Sequence, residues 1–537
     1  MHKDWSHAHM NGANARAAAD AEWAKPQAQA IVQEEGTRRT DRQKRSQSRL
    51  LLDIITMTGV DLYHTPDGTP YADLHVGGRR ETWPVKSPKF RGWLLREYYI
   101  RERMAASNNA MSEALAVIEA RALFDGPERP VYLRVAGDDG RIYVDLVDRD
   151  WRAVEIGPDG WRIVSQPPVR FRRTAGMMPL PTPERGGSID ELRPHLNVDE
   201  DGFVLVVSWL LAGLRPCGPY PILALTGEQG TGKSMTAEKV RSLIDPNTAP
   251  LRPLPRDTRD LYIAAINGHV LVFDNLSSMT NEISDCLCRL STGGGFATRA
   301  LFTDSSEVLF NGQRPIALTS ITDVATRSDL ADRVIICPLL VIPETERRTE
   351  AALRATFEKA KPRILGALFD VIAHGLMQLP HTQLDRAPRM ADYAVWIRAC
   401  ETAIWAAGMH MAAYEANRKD AVEVVLDCDP VATALLQHMQ GRSEITTTAT
   451  ELLATLSLVV SDHVRRGAAW PVTARTLSGQ LKRLAPALRR VGIEVRHDRQ
   501  SARRLIQIRN VNASTPTSSS FASSASDGPG PYAGGLS

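Results

Sequence analysis

Residues 221–234 read PILALTGEQGTGKS: an apolar run, a glycine-rich turn, then a Lys-Ser pair. The turn matches the pattern G-x-x-x-x-G-K-[ST], whose chemistry depends on what flanks it. Here Ile222 to Leu225 supplies a short buried strand. Gly227, Gly230 and Gly232 let backbone N–H groups curl round phosphate oxygens where a Cβ would obstruct them. Ala237, Val240, Leu243 and Ile244 then recur at helical spacing until Asp245-Pro246, and the N-terminus of such a helix favours anions. Gly227, Gly230, Thr231, Gly232, Lys233 and Ser234 form a candidate nucleotide-binding set. Lys233 is expected to reach the β/γ-phosphates and Ser234 to ligate Mg²⁺.

Forty-one residues after Lys233, the apolar strand HVLVF ends in Asp274, a second expected contributor to the Mg²⁺ shell. Its neighbour is Asn275, an amide that can orient water but cannot accept its proton. Glu228, Glu282 and Asp285 are the carboxylates that would have to replace a base, and each reads first as a surface residue. A helix over about 280–292 carries Ile283, Leu287 and Leu290 on one face and stops at Gly293. The stretch STGGGFATRALFTDSSEVLFNGQRP predicts a β-hairpin or paired strands presenting Thr298 and Arg299, with Arg299 a candidate DNA contact. The strand PIALTS follows, with Thr319 placed to contact a γ-phosphate or an attacking water. Arg327 and Arg333 flank a short turn before the last strand, VIICPLLVI. An Arg in that position can enter a neighbouring subunit's site and stabilise transition-state charge.

The C-terminal end of the chain adds a second polyanion-facing signal. The net charge is +3 over 537 residues, but residues 465–509 hold twelve Lys/Arg against only Glu494 and Asp498. Leu477, Leu481 and Leu484 share a helical face, with Arg475, Lys482 and Arg483 turned away from it. Pro486 is expected to end or kink that helix. Ile493 and Val495 alternate, HDRQSAR forms a polar turn, and Leu505, Ile506 and Ile508 return. A helix followed by a two-stranded wing is a winged-helix pattern, in which Arg475, Lys482 and Arg483 would face DNA.

The ordered series resembles superfamily 3 helicases of the phage and plasmid primase–helicase type, a branch of the AAA+ ATPases. The series comprises the phosphate loop, a short second strand, a helix, the strand ending in Asp274, a helix, a Gly-rich hairpin, the strand carrying Thr319, and Arg333. The resemblance covers residues 186–345 and extends loosely to the C-terminus. It implies an ATP- and Mg²⁺-dependent DNA helicase of a phage, plasmid or other mobile element, working as a hexameric ring on single-stranded DNA, with a C-terminal winged helix. Thr319 stands where the family usually has Asn, and Asn275 where it has a second acidic residue. Residues 1–185 carry no convincing primase set, so a primase would be a separate partner.

The expected fold is α/β: a P-loop AAA+-like core with a parallel sheet over 186–343. It is flanked by an α+β unit at 48–185, a helical block at 344–440 and a winged helix at 441–510. A flexible arm (1–47) and a Ser/Gly/Pro tail (511–537) bracket them. Turn signals at Pro66-Asp67-Gly68, Gly137–Gly140 and Pro158-Asp159-Gly160 predict three hairpins. Asp145 and Asp148 in this region read as solvent-side residues, and Ser188 with Glu191 as a capping box. Six cysteines without a CxxC pair exclude a disulfide scaffold and argue against a zinc ribbon. No apolar run approaches the roughly 20 residues of a membrane span, so a cytoplasmic protein with no membrane partner is expected. Two other readings remain: a nucleotide-gated DNA-binding or regulatory module with little turnover, and a protein-remodelling ATPase. A small-molecule kinase would need neither the hairpin nor the basic end.

Overall fold

The computed structural model describes residues 46–294, 296–299, 307–310, 312–321, 328–500 and 503–512. Nearly all of the expected arm and tail, and Arg327, lie outside the described residues.

A four-stranded parallel sheet organises the centre, in the order β11 (Leu271–Leu276), β14 (Ile316–Ser320), β10 (Ile222–Thr226), β15 (Val334–Pro338). Side chains alternate across a strand, and the two faces feed two cores. Leu223, Leu225, Val270, Val272, Ala317, Ile335 and Cys337 enter one. Ile222, Ala224, Leu271, Phe273, Ile316, Leu318, Val334 and Ile336 enter the other. Burial on both faces explains why these strands read as continuous apolar runs.

The first face is covered by α4 (Glu200–Gly213), in which every residue from Gly202 onward is buried, and by α5 (Lys233–Ile244). The second is covered by α6 (Thr258–Asn267) and α7 (Asn281–Thr292). The expected second strand of the series is reduced to one parallel bridge, Arg252 to Phe273. Pro250, Pro253 and Pro255 withhold the N–H groups a longer ladder would need. Beyond α7, β12 (Phe296–Arg299) and β13 (Glu307–Phe310) form the anticipated antiparallel pair. The short α8 (Ser328–Ala331) leads into β15, whose outer edge is closed by Asn417. That side chain accepts from Ile336 N at 3.0 Å and donates to Ile336 O at 2.5 Å, as a neighbouring strand would.

Residues 48–185 contribute to two large cores and to a small cluster of Ala136, Tyr143, Ala153, Val169 and Phe171. The first part packs on itself: α1 (Gln47–Met57), β1 (Asp61–His64), β2 (Pro70–Val76), β3 (Arg79–Pro84), α2 (Pro88–Glu102) and α3 (Asn108–Phe124) enclose Leu51, Phe90, Leu94, Met111 and Ile118. The short β4 (Val131–Tyr132) and β9 (Arg170–Phe171) pair in parallel. Between them runs an antiparallel meander, β5 (Val135–Asp138), β6 (Arg141–Asp145), β7 (Ala153–Gly157) and β8 (Gly160–Val164). It shares the first-face core with α4 and with α9 (Glu350–Gln378). The three hairpins fall at the expected turns. Asp145, however, is 1% exposed rather than solvent-side, because the returning segment brings Arg173 onto its carboxylate at 2.6 Å.

The helical block is α9, α10 (Ala391–Glu401) and α11 (Met409–Cys428). A C-terminal unit follows: α12 (Pro430–Met439), β16 (Glu444–Thr448), α13 (Ala449–Val459), α14 (Asp462–Arg466), α15 (Ala474–Arg490), β17 (Ile493–Gln500) and β18 (Arg503–Asn510). Its sheet has three strands, in the order β16-β18-β17. Pro486 does not end α15. It sits on the exposed side while Leu484, Ala487 and Leu488 are buried beside it, and that packing carries the helix through. The polar turn is also shorter than expected, since β17 runs to Gln500 and β18 begins at Arg503.

Candidate nucleotide and nucleic-acid sites

The glycine-rich loop leaves the C-terminal end of β10, at the centre of the sheet. Gly227, Gly230 and Gly232 have φ of 144°, 88° and 85°, which side chains other than glycine rarely adopt. Gly232 is the N-cap of α5, so the loop delivers the chain directly into a helix start. Lys233 Nζ folds back over the loop and donates to the carbonyls of Gly227 (2.7 Å) and Glu228 (2.6 Å). Thr231 is 1% exposed and its hydroxyl donates to Glu228 O at 3.0 Å, tightening the curl from within.

Asp274, Ser234 and Thr319 converge beside the loop. Ser234 Oγ donates to the two Asp274 carboxylate oxygens at 2.9 and 3.1 Å. Thr319 Oγ1 donates to Asp274 Oδ1 at 2.5 Å and accepts from Asn275 N at 2.8 Å. Strand alternation explains the convergence: Asp274 follows Val270 and Val272, and Thr319 follows Ala317, on the face that holds α5. Asn275 departs from the strand at φ 57°, where the register with β14 shifts, and its side chain is exposed. Glu228, Glu282 and Asp285 are exposed as well. Among the described residues no three His, Cys, Asp or Glu side chains gather as a metal site. The hydroxyl and carboxylate oxygens of Ser234 and Asp274 are the hard donors that Mg²⁺ prefers, with most of its shell left to water and phosphate.

Two residues near the loop had no sequence signal. Asn197 Nδ2 donates to Thr231 O (3.1 Å) and to Leu340 O (2.6 Å), tying the loop to the segment after the last strand. Arg347 stands alongside: a methyl group built on Gly230 would lie 3.8 Å from its Nη2. Asn197 sits in an ordinary interhelix link and Arg347 in a charge run, so only the tertiary fold reveals either.

Arg333 lies at the other end of the sheet. Its carbonyl accepts from Ile222 N at 2.9 Å, at the start of the strand whose far end carries the loop. Four strand steps separate the levels, roughly 13 Å, so Arg333 does not share the site of its own chain. Arg299 pairs in register with Glu307 in the β12–β13 ladder, and its side chain lies outside the described residues. In α15, Leu477, Leu481 and Leu484 are buried, while Arg475, Lys482 and Arg483 are exposed on the opposite side around Gly479. Gln480 is held on the Asp429 carboxylate at 2.9 and 3.0 Å, which fixes α15 against the N-cap of α12. No helix of the described residues is long and apolar enough to cross a membrane.

The fold and site define a mixed α/β protein, with a parallel sheet and a glycine-rich loop at the end of its central strand. Residues 190–423 match the family model of the actinomycete integrative conjugative element replication protein, RepA, and residues 431–523 match that of the RepA C-terminal domain. These adjacent segments, together more than half of the chain, are similar to the two domains of this replication-protein family. No curated protein is a significant match. Similar solved structures include the SCCmec type IV Cch active helicase, at 13% identity over 84% of this chain and 93% of that one, with a TM-score of 0.43. The apo A form of the NrS-1 C-terminal region matches at 11% identity over 86% and 98%, with a TM-score of 0.38.

Proposed function

We propose that this chain is an ATP-dependent replication helicase of an integrative mobile element: a DNA-stimulated ATPase with an AAA+-like P-loop core and a C-terminal winged helix, assembling as a ring. The observation that carries this reading is the Ser234–Asp274–Thr319 constellation beside a glycine loop that opens a helix. The strand order supports it, since the Thr319 strand lies between the loop strand and the Asp274 strand. So does the similarity to replication proteins. Loop amides and the N-terminus of α5 cradle the phosphates, and Lys233 turns from the loop carbonyls to the β/γ-phosphates. Ser234 and Asp274 would hold Mg²⁺, which would supply charge neutralisation on those phosphates. Thr319 orients the Asp274 carboxylate. Arg333, at the far end of the sheet, serves the site of a neighbouring subunit, which requires an oligomer. A separate primase would supply primers.

The test is ATP turnover with and without single-stranded DNA. Lys233→Ala is expected to abolish turnover. Arg333→Ala is expected to lose it in homo-oligomers and to poison mixed ones. Turnover in Arg333→Ala that matches wild type sinks the trans-acting role, and wild-type turnover indifferent to DNA sinks the helicase reading.

Asn275 favours a second reading. The residue after Asp274 is an amide whose side chain is exposed, so no carboxylate stands in the base position. Tight ATP binding with turnover at background would select a nucleotide-gated DNA-binding module instead.

A further inference from the structure

The structure assigns residues 48–124 a second nucleic-acid surface: we propose that the outward face of α2 (Pro88–Glu102) tracks the phosphate backbone of DNA. The helix buries Phe90, Leu94 and Tyr98. Its exposed positions after Pro88 are Lys89, Gly92, Arg96, Tyr99 and Ile100, and the capping residue Arg103 is exposed next to them. Lys89 and Arg96 are seven residues apart and so fall along one line with about 10 Å of rise between them, and Arg103, in the left-handed cap, stands at the end of the same helix. None of these exposed positions is a carboxylate. Glu97 is half-buried and pairs with Arg96 (3.0 Å) and Arg101 (2.8 Å), but the Arg96 side chain stays 69% exposed, and such a pair is readily exchanged for phosphate. Tyr99, 56% exposed, adds a ring on which a base can stack.

Gly92 gives a separate reason to expect close approach. Glycine is a poor helix former, and a Cβ at Gly92 would meet nothing within 4 Å. No packing inside the chain therefore calls for glycine there. A backbone from outside would come closest at that point, between Lys89 and Arg96. The basic face of α15 has the same composition: Arg475, Lys482 and Arg483 around Gly479, whose Cβ would meet only Arg483 Nη1, at 3.8 Å. Charge complementarity selects a polyanion over an apolar partner, and two such helices on one chain give DNA two separate tracks.

This inference extends the DNA-binding reading and depends on it. The test uses full-length protein and fluorescence anisotropy with a labelled 30-nucleotide strand and its duplex, across a salt series. The variant combines Lys89→Ala, Arg96→Ala and Arg103→Asn, the last because asparagine tolerates the left-handed φ of 56° at that cap. It is expected to lose at least tenfold in affinity near 0.1 M salt, and to lower the slope of log affinity against log salt by about 2. Gly92→Ala should raise the melting temperature while weakening binding. Basal ATP turnover should be unchanged in both. An unchanged affinity and slope, in protein whose Arg475→Ala/Lys482→Ala/Arg483→Ala variant does lose binding, overturns this surface alone. Retained DNA binding with lost self-association overturns it in favour of a subunit contact. Wild-type protein that binds neither probe defeats the DNA reading of the whole chain.

Discussion

A single carboxylate, Asp274, is the meeting point of two strand ends and a helix start, and its geometry is held by hydroxyls rather than by cations. Thr319 is the pivotal one, because its oxygen both donates to Asp274 and accepts from Asn275 N. Thr319→Val keeps the shape and removes both bonds. It should destabilise the fold by about 1 kcal/mol and cut kcat at least tenfold, with KM for ATP changed less than threefold, as steady-state kinetics and denaturant titration would report. The glycine-rich loop before Lys233 and the strand that ends in Asp274 were legible in the sequence because both are local patterns. The Asn275–Thr319 bond was not, since it needs a strand from 44 residues later to be inserted beside Asp274. Asn197 was illegible for the same reason. Residue chemistry also predicts a pH response. Burial pushes the His269 imidazole down to about 4 and that of His410 to about 3. In the unfolded chain both titrate near 6.5. As pH falls below about 6.5 the unfolded state therefore takes up protons that the native state refuses, so stability is full above that pH and declines toward 4. The melting temperature should fall measurably from pH 7 to pH 5. His269→Gln, which keeps a donor for the Gly213 carbonyl that His269 Nε2 reaches at 2.8 Å, should flatten that profile.

Between elements, the decisive contact is a buried ion pair. Arg134, at the entrance to the β5–β8 meander, and Asp245, at the C-terminal cap of α5, meet at 3.0 Å with neither side chain exposed. The Asp245 carboxylate also accepts from the backbone N–H groups of His269 (3.0 Å) and Val270 (3.2 Å), which lead into β11. Burial alone would raise the Asp245 pKa; Arg134, His269 and Arg241 outweigh it and leave it below the ordinary value. One carboxylate thus ties the helix after the glycine-rich loop, the strand that carries Asp274, and the meander. Removing one partner strands the other charge in a dry site, so Arg134→Ala should lose roughly 3–5 kcal/mol in denaturant unfolding. An Arg134→Met/Asp245→Leu double variant should recover part of that loss. Element types were readable from turns and periodicity: the hairpin turns at 66–68, 138–140 and 158–159 and the capping box at Ser188–Glu191 stand where they were expected. Periodicity could not show that the meander shares its core with α4 and α9, because an apolar strand face looks the same whatever covers it. Nor could it show that buried neighbours would carry α15 through Pro486.

At the scale of the whole molecule, the basic C-terminal end and the sheet are joined beside Arg333. Asp332 offers one carboxylate oxygen to Arg490 at 2.6 Å and the other to Arg389 at 2.9 Å. Arg490 closes α15, the helix whose outward face carries Arg475, Lys482 and Arg483; Arg389 precedes the second helix of the helical block. Asp332 is 15% exposed and immediately precedes the residue proposed to reach a neighbour's nucleotide. Under the proposed function, a pull on α15 by DNA would be transmitted through Asp332 to the backbone that aims Arg333. Asp332→Asn should leave DNA affinity within threefold of wild type, since it removes no exposed cation. It should also leave basal turnover near wild type, since Arg333 itself is kept. The part expected to collapse is stimulation: the ratio of turnover with and without single-stranded DNA should fall toward one. Arg490→Gln should reproduce the effect and Arg389→Gln should do so only weakly, because Arg389 leads to the helical block instead of to α15. Stimulation that survives both Asp332→Asn and Arg490→Gln would show that DNA reaches Arg333 by another route, with the β12–β13 hairpin as the next element to alter.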